Sequence, residues 1–265
     1  MTKSALFSEV DHSGRALLTI NRPEVHNAFD DSLVVNLMNE LRQLEANDKV
    51  RVVLLASSGK TFCAGADLAW MRRAAGYSRA ENLADSLGLA ELLKTLDRLE
   101  KPTIALVQGP AYGGGVGLVA CCDLVVAARG ARFRFSETRL GLAPAVISPY
   151  VIAAIGARAA RRYFLTAEEF DAPEARRLGL VHEVVEEDRL FEQARLWSGV
   201  LLQNGPRAMS AVKALVREVG SDPMDERLTA ATAEKAAELR ASDEGREGIA
   251  AFLEKRRPFW IKQAD

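Results

Sequence analysis

The chain reads as an α/β protein that ends in a purely helical region. Two short, β-branched apolar runs are each followed by a glycine-rich loop and then by a helical pattern, the strand–loop–helix order of that class. Beyond residue 140 apolar residues recur mainly at helical spacing, and after Asn204-Gly205-Pro206 only helices are expected.

Taken in order, Met1-Thr2-Lys3-Ser4-Ala5 leads into a strand. Val50 to Ala56 is a short apolar run whose length and β-branching favour a buried strand, and Ser57-Ser58-Gly59-Lys60 is turn chemistry. The loop Phe62-Cys63-Ala64-Gly65-Ala66-Asp67-Leu68 follows, with Asp67 placed to N-cap a helix that begins Leu68-Ala69-Trp70-Met71. Thr103 to Val107 repeats the strand, Gly109-Pro110-Ala111-Tyr112-Gly113-Gly114-Gly115 the loop, and Val116 to Cys122 the helix. Further helices are predicted over 147–155, 157–165, 172–178, 187–203, 206–219, 224–241 and 244–255, so residues 1–203 form a core and 204–265 a helical appendage. Apolar faces on that appendage must be buried on the main body or on another copy.

Each glycine-rich loop joins a strand to a helix start, where backbone N–H groups lack intrahelical partners and can converge on negative charge. Such a pair is the recipe for an oxyanion hole. Neither loop fits a phosphate fingerprint, because no Gly-Lys-Ser/Thr ends the second and no G-x-G-x-x-G follows the first strand.

Composition narrows the function classes. A 265-residue chain that is 48% hydrophobic can fill a sizeable core, and a formal net charge of -1 with scattered Lys and Arg gives no nucleic-acid or membrane footprint. No apolar run reaches about 18 residues, and no signal peptide is evident, which makes the cytoplasm the default location. Cys63, Cys121 and Cys122 are too few and badly spaced for a disulfide scaffold or a zinc site and read as small buried side chains. His12, His26 and His182 lie in separate segments, which argues against a metal site or a Ser-His-Asp site.

Together the two loops resemble the crotonase family, the enoyl-CoA hydratase/isomerase superfamily. The resemblance runs from Asn21-Arg22-Pro23-Glu24-Val25-His26-Asn27-Ala28-Phe29 through both loops to Phe252-Leu253-Glu254-Lys255-Arg256. It implies a crotonase fold, a spiral of ββα units with C-terminal helices that form homotrimers, often paired into hexamers. It also implies an acyl-CoA substrate, no separate cofactor, and an oxyanion hole made by the N–H groups of Ala66 and Gly114. Residues Glu24, Val25, Ala28, Ala64, Ala66, Asp67 and Leu68 would then line the pantetheine and adenine of the CoA, with Gly114 at the thioester and Phe252 and Lys255 contacting the nucleotide, often from a neighbouring subunit.

The well-known hydratases of the family use two glutamates. At the first position this chain has Gly117; the second is matched by Glu137, the expected acid/base, whose carboxyl an apolar pocket would push towards the working pH. Gly115 to Asp123, Ser136-Glu137 and Arg139 to Tyr150 further resemble bacterial hydratases of 3-substituted glutaconyl-CoA esters in leucine or acyclic terpene breakdown. The second carboxylate of such a substrate calls for a cation, with Arg72, Arg73, Arg134 and Arg139 as candidates. Trp70, Met71, Tyr112, Phe135 and Val146 would shape the acyl pocket. An isomerase working with one glutamate is the alternative, and an acyl-CoA or RNA binding protein without catalysis is a remote one.

Overall fold

The computed structural model describes residues 4–221, 223 and 225–261. Strands β1 (Leu6–Val10) and β2 (Arg15–Ile20) form an antiparallel hairpin, and a 3-10 turn (Pro23–Val25) leads to helix α1 (Asp31–Ala46). Then come β3 (Val52–Ser57), α2 (Leu68–Ala74), α3 (Arg79–Asp97), β4 (Thr103–Val107), β5 (Ala111–Tyr112), α4 (Gly114–Cys121), β6 (Leu124–Ala128) and β7 (Arg132–Arg134). A 3-10 turn (Glu137–Leu140) precedes α5 (Ser148–Thr166), followed by β8 (Phe170–Asp171), α6 (Ala172–Leu178), β9 (Glu183–Val185) and α7 (Leu190–Gln203). Helices α8 (Pro206–Ser221), α9 (Glu226–Ala241) and α10 (Asp243–Leu253) close the chain.

The main sheet has the order β1-β2-β3-β4-β6-β9 and is parallel from β2 onward. Its central strands are apolar except at Ser57, which ends β3, and Thr103, which begins β4, because both faces are covered. Val53, Leu55, Ala105, Val107, Val125 and Ala127 point into a core that includes residues of α1, α3 and α4, whereas Val52, Leu54, Ile104, Leu106, Val126 and Ala128 meet Leu190 and Ala194 of α7. A small second sheet, β5-β7-β8, stands beside the second glycine loop.

Several expectations shift. The strand expected from Val50, β3, begins at Val52, and the helix expected from Val116, α4, starts at Gly114. Segments 147–155 and 157–165 belong to one α5 that bends at Gly156, where φ is 75° and ψ is 154°. Strands β8 and β9 interrupt the region expected to be mainly helical, and Met224, the expected start of a helix, lies outside the described residues.

The last three helices are tied to the body by polar anchors. Lys213 Nζ of α8 donates to Asp123 Oδ2 at 2.6 Å and to the Lys101 carbonyl, while Asp123 accepts from Thr103 N at the start of β4. Arg51, just before β3, donates to the carbonyls of Asn204 and Trp260. The C-terminal segment therefore docks at the beginning of β3, the end remote from the first glycine loop. Among the described residues no helix is long and apolar enough to cross a membrane.

Candidate active site

The first loop is held by a short parallel bridge between Phe29 and Ala66. Phe29 N donates to Gly65 O and Asp67 N donates to Phe29 O, each at 2.7 Å, so the amide of Ala66 faces away from the bridge. No backbone or side-chain acceptor among the described residues takes that N–H. Asp67 caps α2 as expected, its Oδ1 accepting from Ala69 N at 2.7 Å and Trp70 N at 3.2 Å. Arg22 fixes the same corner: its guanidinium donates to Ala28 O at 2.7 Å and lies 2.7 Å from Asp30 and 3.5 Å from Asp67.

The second loop pairs with the first. Cys63 bridges Ala111, and Tyr112 N donates to Cys63 O at 2.9 Å. Gly113 then turns with φ 49° and ψ -121°, a conformation open chiefly to glycine. Gly115 is required for a different reason, since a Cβ there would collide with the carbonyl of Cys63. Gly114 is the first residue of α4, where an amide has no carbonyl one turn back, and among the described residues no other acceptor takes it. The ring of Phe29 lies 3.0 Å from where a Cβ of Gly114 would stand, so Phe29 pairs with Ala66 through its backbone and abuts Gly114 through its side chain. One residue thus links the two open amides.

Glu137 opens the 3-10 turn after β7 and points at this loop, with Oε1 3.1 Å from the Cβ position of Gly113. Its Oε2 is buried and has no hydrogen-bond partner among the described residues. Desolvation pushes the carboxyl above its usual range, opposed only by a hydrogen bond from its own backbone. Neither Arg134 nor Arg139 pairs with it, since Arg134 faces Glu169 at 3.5 Å and Arg139 is exposed.

At Gly117 no vacancy awaits a carboxylate. A Cβ there would stand 2.5 Å from Ile147 Cγ2 and 3.3 Å from Leu93 Cδ1, so apolar side chains already occupy that side of α4. Ile147 was not singled out by the sequence; the glycine at 117 was the signal that something else fills its neighbourhood.

The remaining candidates scatter more widely. Trp70 is buried and its Nε1 donates to Asp85 Oδ1 at 2.9 Å; Met71 and Val146 are half-buried. Tyr112 donates its hydroxyl to Glu169 at 2.8 Å, and the guanidinium of Arg134 lies over its ring. Phe135 is fully buried, edge-on to Phe164 with 4.8 Å between ring centres, within the aromatic group of the core. Ala28 is buried, Val25 and Ala64 half-buried, and Glu24 and Leu68 exposed. Arg72 is exposed, and Arg73 is engaged with Asp31. Phe252 is 82% exposed on α10, and Lys255 follows it in a left-handed turn; both belong to the segment docked at the far end of β3, so one protomer does not bring them to the loops.

The cysteines are buried free thiols, with Cys63 and Cys122 pushed up to about 12 by burial. His26 Nδ1 meets Thr61 Oγ1, and His182 Nδ1 accepts from Val125 N, so both rings have structural partners. A groove between α5 and α6, lined by Arg158, Arg162 and Arg177, contains none of the candidate residues.

Residues 11–263 match the family model described as enoyl-CoA hydratase/isomerase. The chain is similar to a crystal structure of an enoyl-CoA hydratase from Shewanella pealeana, with 43% identity, a TM-score of 0.95, and coverage of 97% of this chain and 96% of that one. It is 34% identical to the 2,3-dehydroadipyl-CoA hydratase of Escherichia coli over 91% of this chain and 93% of that protein. The same organism's 1,2-epoxyphenylacetyl-CoA isomerase is 32% identical, covering 92% of this chain and 94% of the relative.

Proposed function

The chain belongs to the enoyl-CoA hydratase/isomerase family, and on that premise we propose that it is a hydro-lyase adding water to the double bond of a 3-substituted glutaconyl-CoA thioester. The observation that carries the hydratase reading is the buried, unpartnered Oε2 of Glu137 beside a loop whose next amide, that of Gly114, is open. The thioester oxygen accepts from Ala66 N–H and Gly114 N–H. As water attacks the β-carbon, the π electrons move towards that oxygen, where fixed dipoles stabilise the enolate without reorganising. Glu137 takes a proton from the water and delivers one to the α-carbon, so the net change is addition of one water.

Two features support a substrate with a second carboxylate. Gly115 to Asp123 and Arg139 to Tyr150 carry the local likeness to glutaconyl ester hydratases, and one relative is named for 2,3-dehydroadipyl-CoA, an ester of a dicarboxylic acid. Arg134, half-buried beside Tyr112 with an unpartnered Nε, is the best placed of the candidate cations. We assign the CoA moiety to the Glu24–Ala28 and Ala64–Leu68 segments, and Phe252 and Lys255 to a CoA held by another copy. Exposed Val212, Val216, Ile249 and Phe252 on α8 and α10 support a homotrimer or a hexamer. No separate cofactor enters this scheme, and a cytoplasmic setting suits it.

Mass spectrometry of the protein with 3-methylglutaconyl-CoA, isohexenylglutaconyl-CoA and crotonyl-CoA tests this. A gain of one water on a glutaconyl ester, with little on crotonyl-CoA, is expected. The apolar wall at Gly117 favours one second reading, a double-bond isomerase using Glu137 alone; a shifted double bond with no gain in mass would establish it.

A further inference from the structure

We propose that Asp85 is the carboxylate that holds the attacking water, a task that position 117 leaves without a side chain. This rests on the hydratase reading and assigns a residue that neither loop contains.

Two independent sets of contacts place Asp85. On one side, α3 and α4 run parallel: Leu89 Cδ2 lies 3.9 Å from the Cβ position of Gly114, and Leu93 Cδ1 lies 3.3 Å from that of Gly117. Asp85 precedes Leu89 by four residues on the same stripe of α3. It therefore stands roughly 6 Å further along the helix axis than Leu89, beyond the N-terminal end of α4, where the Gly114 amide is open. On the other side, Trp70 belongs to the first turn of α2, immediately after Ala66 and the capping Asp67. Its Nε1 donates to Asp85 Oδ1 at 2.9 Å. Helix α2 thus reaches the half-buried carboxylate directly through Trp70, while α4 packs on the stripe of α3 that carries it.

The indole N–H orients Oδ1 and leaves Oδ2 with no hydrogen-bond partner among the described residues. Desolvation raises the carboxyl above its usual range; the Trp70 N–H opposes this, Asp31 of α1 adds to it, and Arg73 of α2 opposes it. In the ionised form Oδ2 accepts one O–H of the water while Glu137 takes the proton of the other. The oxygen–carbon bond forms at the β-carbon, the π pair moves to the thioester oxygen, and the proton on Glu137 then passes to the α-carbon. Asp85 ends as it began.

The test compares the wild type with Asp85→Ala, Asp85→Asn and Trp70→Phe on the ester the wild type hydrates. The second readout is exchange of α-protons with D2O on the saturated analogue, which needs Glu137 and the oxyanion hole but no attacking water. Asp85→Ala is expected to lower kcat on the order of 100-fold with KM within threefold and with exchange unchanged. Asp85→Asn keeps an oxygen acceptor and is expected to lose less. Trp70→Phe removes a bond that favours the ionised carboxylate, so the acid limb of kcat moves to higher pH. Hydration by Asp85→Ala within threefold of wild type would overturn the assignment, as would equal loss of hydration and exchange, the mark of a merely structural role. A wild type that hydrates none of the esters removes the hydratase reading and Asp85's role with it.

Discussion

Replacing Glu137 by Gln separates the chemical cost of the carboxylate from its cost to the fold. General acid/base groups contribute about 10²- to 10⁴-fold, which corresponds to roughly 2.7 to 5.4 kcal/mol of barrier, so kcat should fall by that factor with KM nearly unchanged. The fold should respond in the opposite sense. The unfolded chain titrates near 4.5, whereas the folded carboxyl, its Oε2 buried without a partner, titrates higher. Between those two values the native state binds more protons than the unfolded state, so this group makes stability fall as pH rises. The loss is complete above the folded value and amounts to about 1.36 kcal/mol for each pKa unit of elevation. The variant carries no charge at any pH and lacks that slope. Urea denaturation of both proteins from pH 4 to pH 8, read as the difference between them, isolates the contribution from all other groups. The difference should drift in favour of the variant as pH rises and then level off. Parallel stability curves, or a kcat within tenfold of wild type, would refute the reasoning.

Gly114→Pro removes one amide donor at the first position of α4, a place in a helix that tolerates proline, and its ring also displaces Phe29, whose Cε2 stands 3.0 Å from the Cβ position; kcat should drop by at least about 10²- to 10³-fold while circular dichroism shows a folded protein. Gly117→Glu should fail to fold stably on its own because Ile147 stands in the way, and Ile147→Ala in the same chain should restore a cooperative melting transition. Arg22→Met strands Asp30 and Asp67 around a guanidinium that is only 16% exposed, so denaturant titration should show a loss of about 3 kcal/mol. Arg22→Lys should recover part of this, because it keeps the charge but not the planar fork.

The two loops were legible because their chemistry is local. A β-branched run, a turn cluster, glycines and a capping Asp67 are neighbours in the chain, and the structure reproduces Thr103–Val107 as a strand and Asp67 as the N-cap. What fills the space at Gly117 was not legible, since Ile147 lies thirty residues on and only the packing of α5 against α4 brings it there. Strands β5, β7 and β8 are two or three residues long, too short for any alternation to show, and exist through pairing with one another. Asp85 sits in a helix of weak amphipathic pattern, and nothing in its neighbours along the chain marks it; Trp70, fifteen residues earlier, does so through space. Phe135 looked like a pocket residue by position, yet its ring is packed against Phe164 and Phe170.

The division between backbone and side-chain chemistry lets the proposed oxyanion hole stand with a glycine at position 117. Ala66 and Gly114 offer peptide dipoles, set by the Phe29 bridge, the Cys63–Ala111 bridge and the Gly113 turn, none of which depends on what stands at 117. In the proposed reaction the backbone therefore activates the carbonyl, and the fate of the double bond falls to the side chains facing it. Ile147 and Leu93 fill the side of α4 at position 117, Glu137 carries a raised carboxyl in the turn after β7, and Asp85 of α3 accepts from Trp70. If water is to be held between two acceptors, they must come from these separate elements. Removing Asp85 should then turn a hydratase towards proton transfer alone, the chemistry of an isomerase.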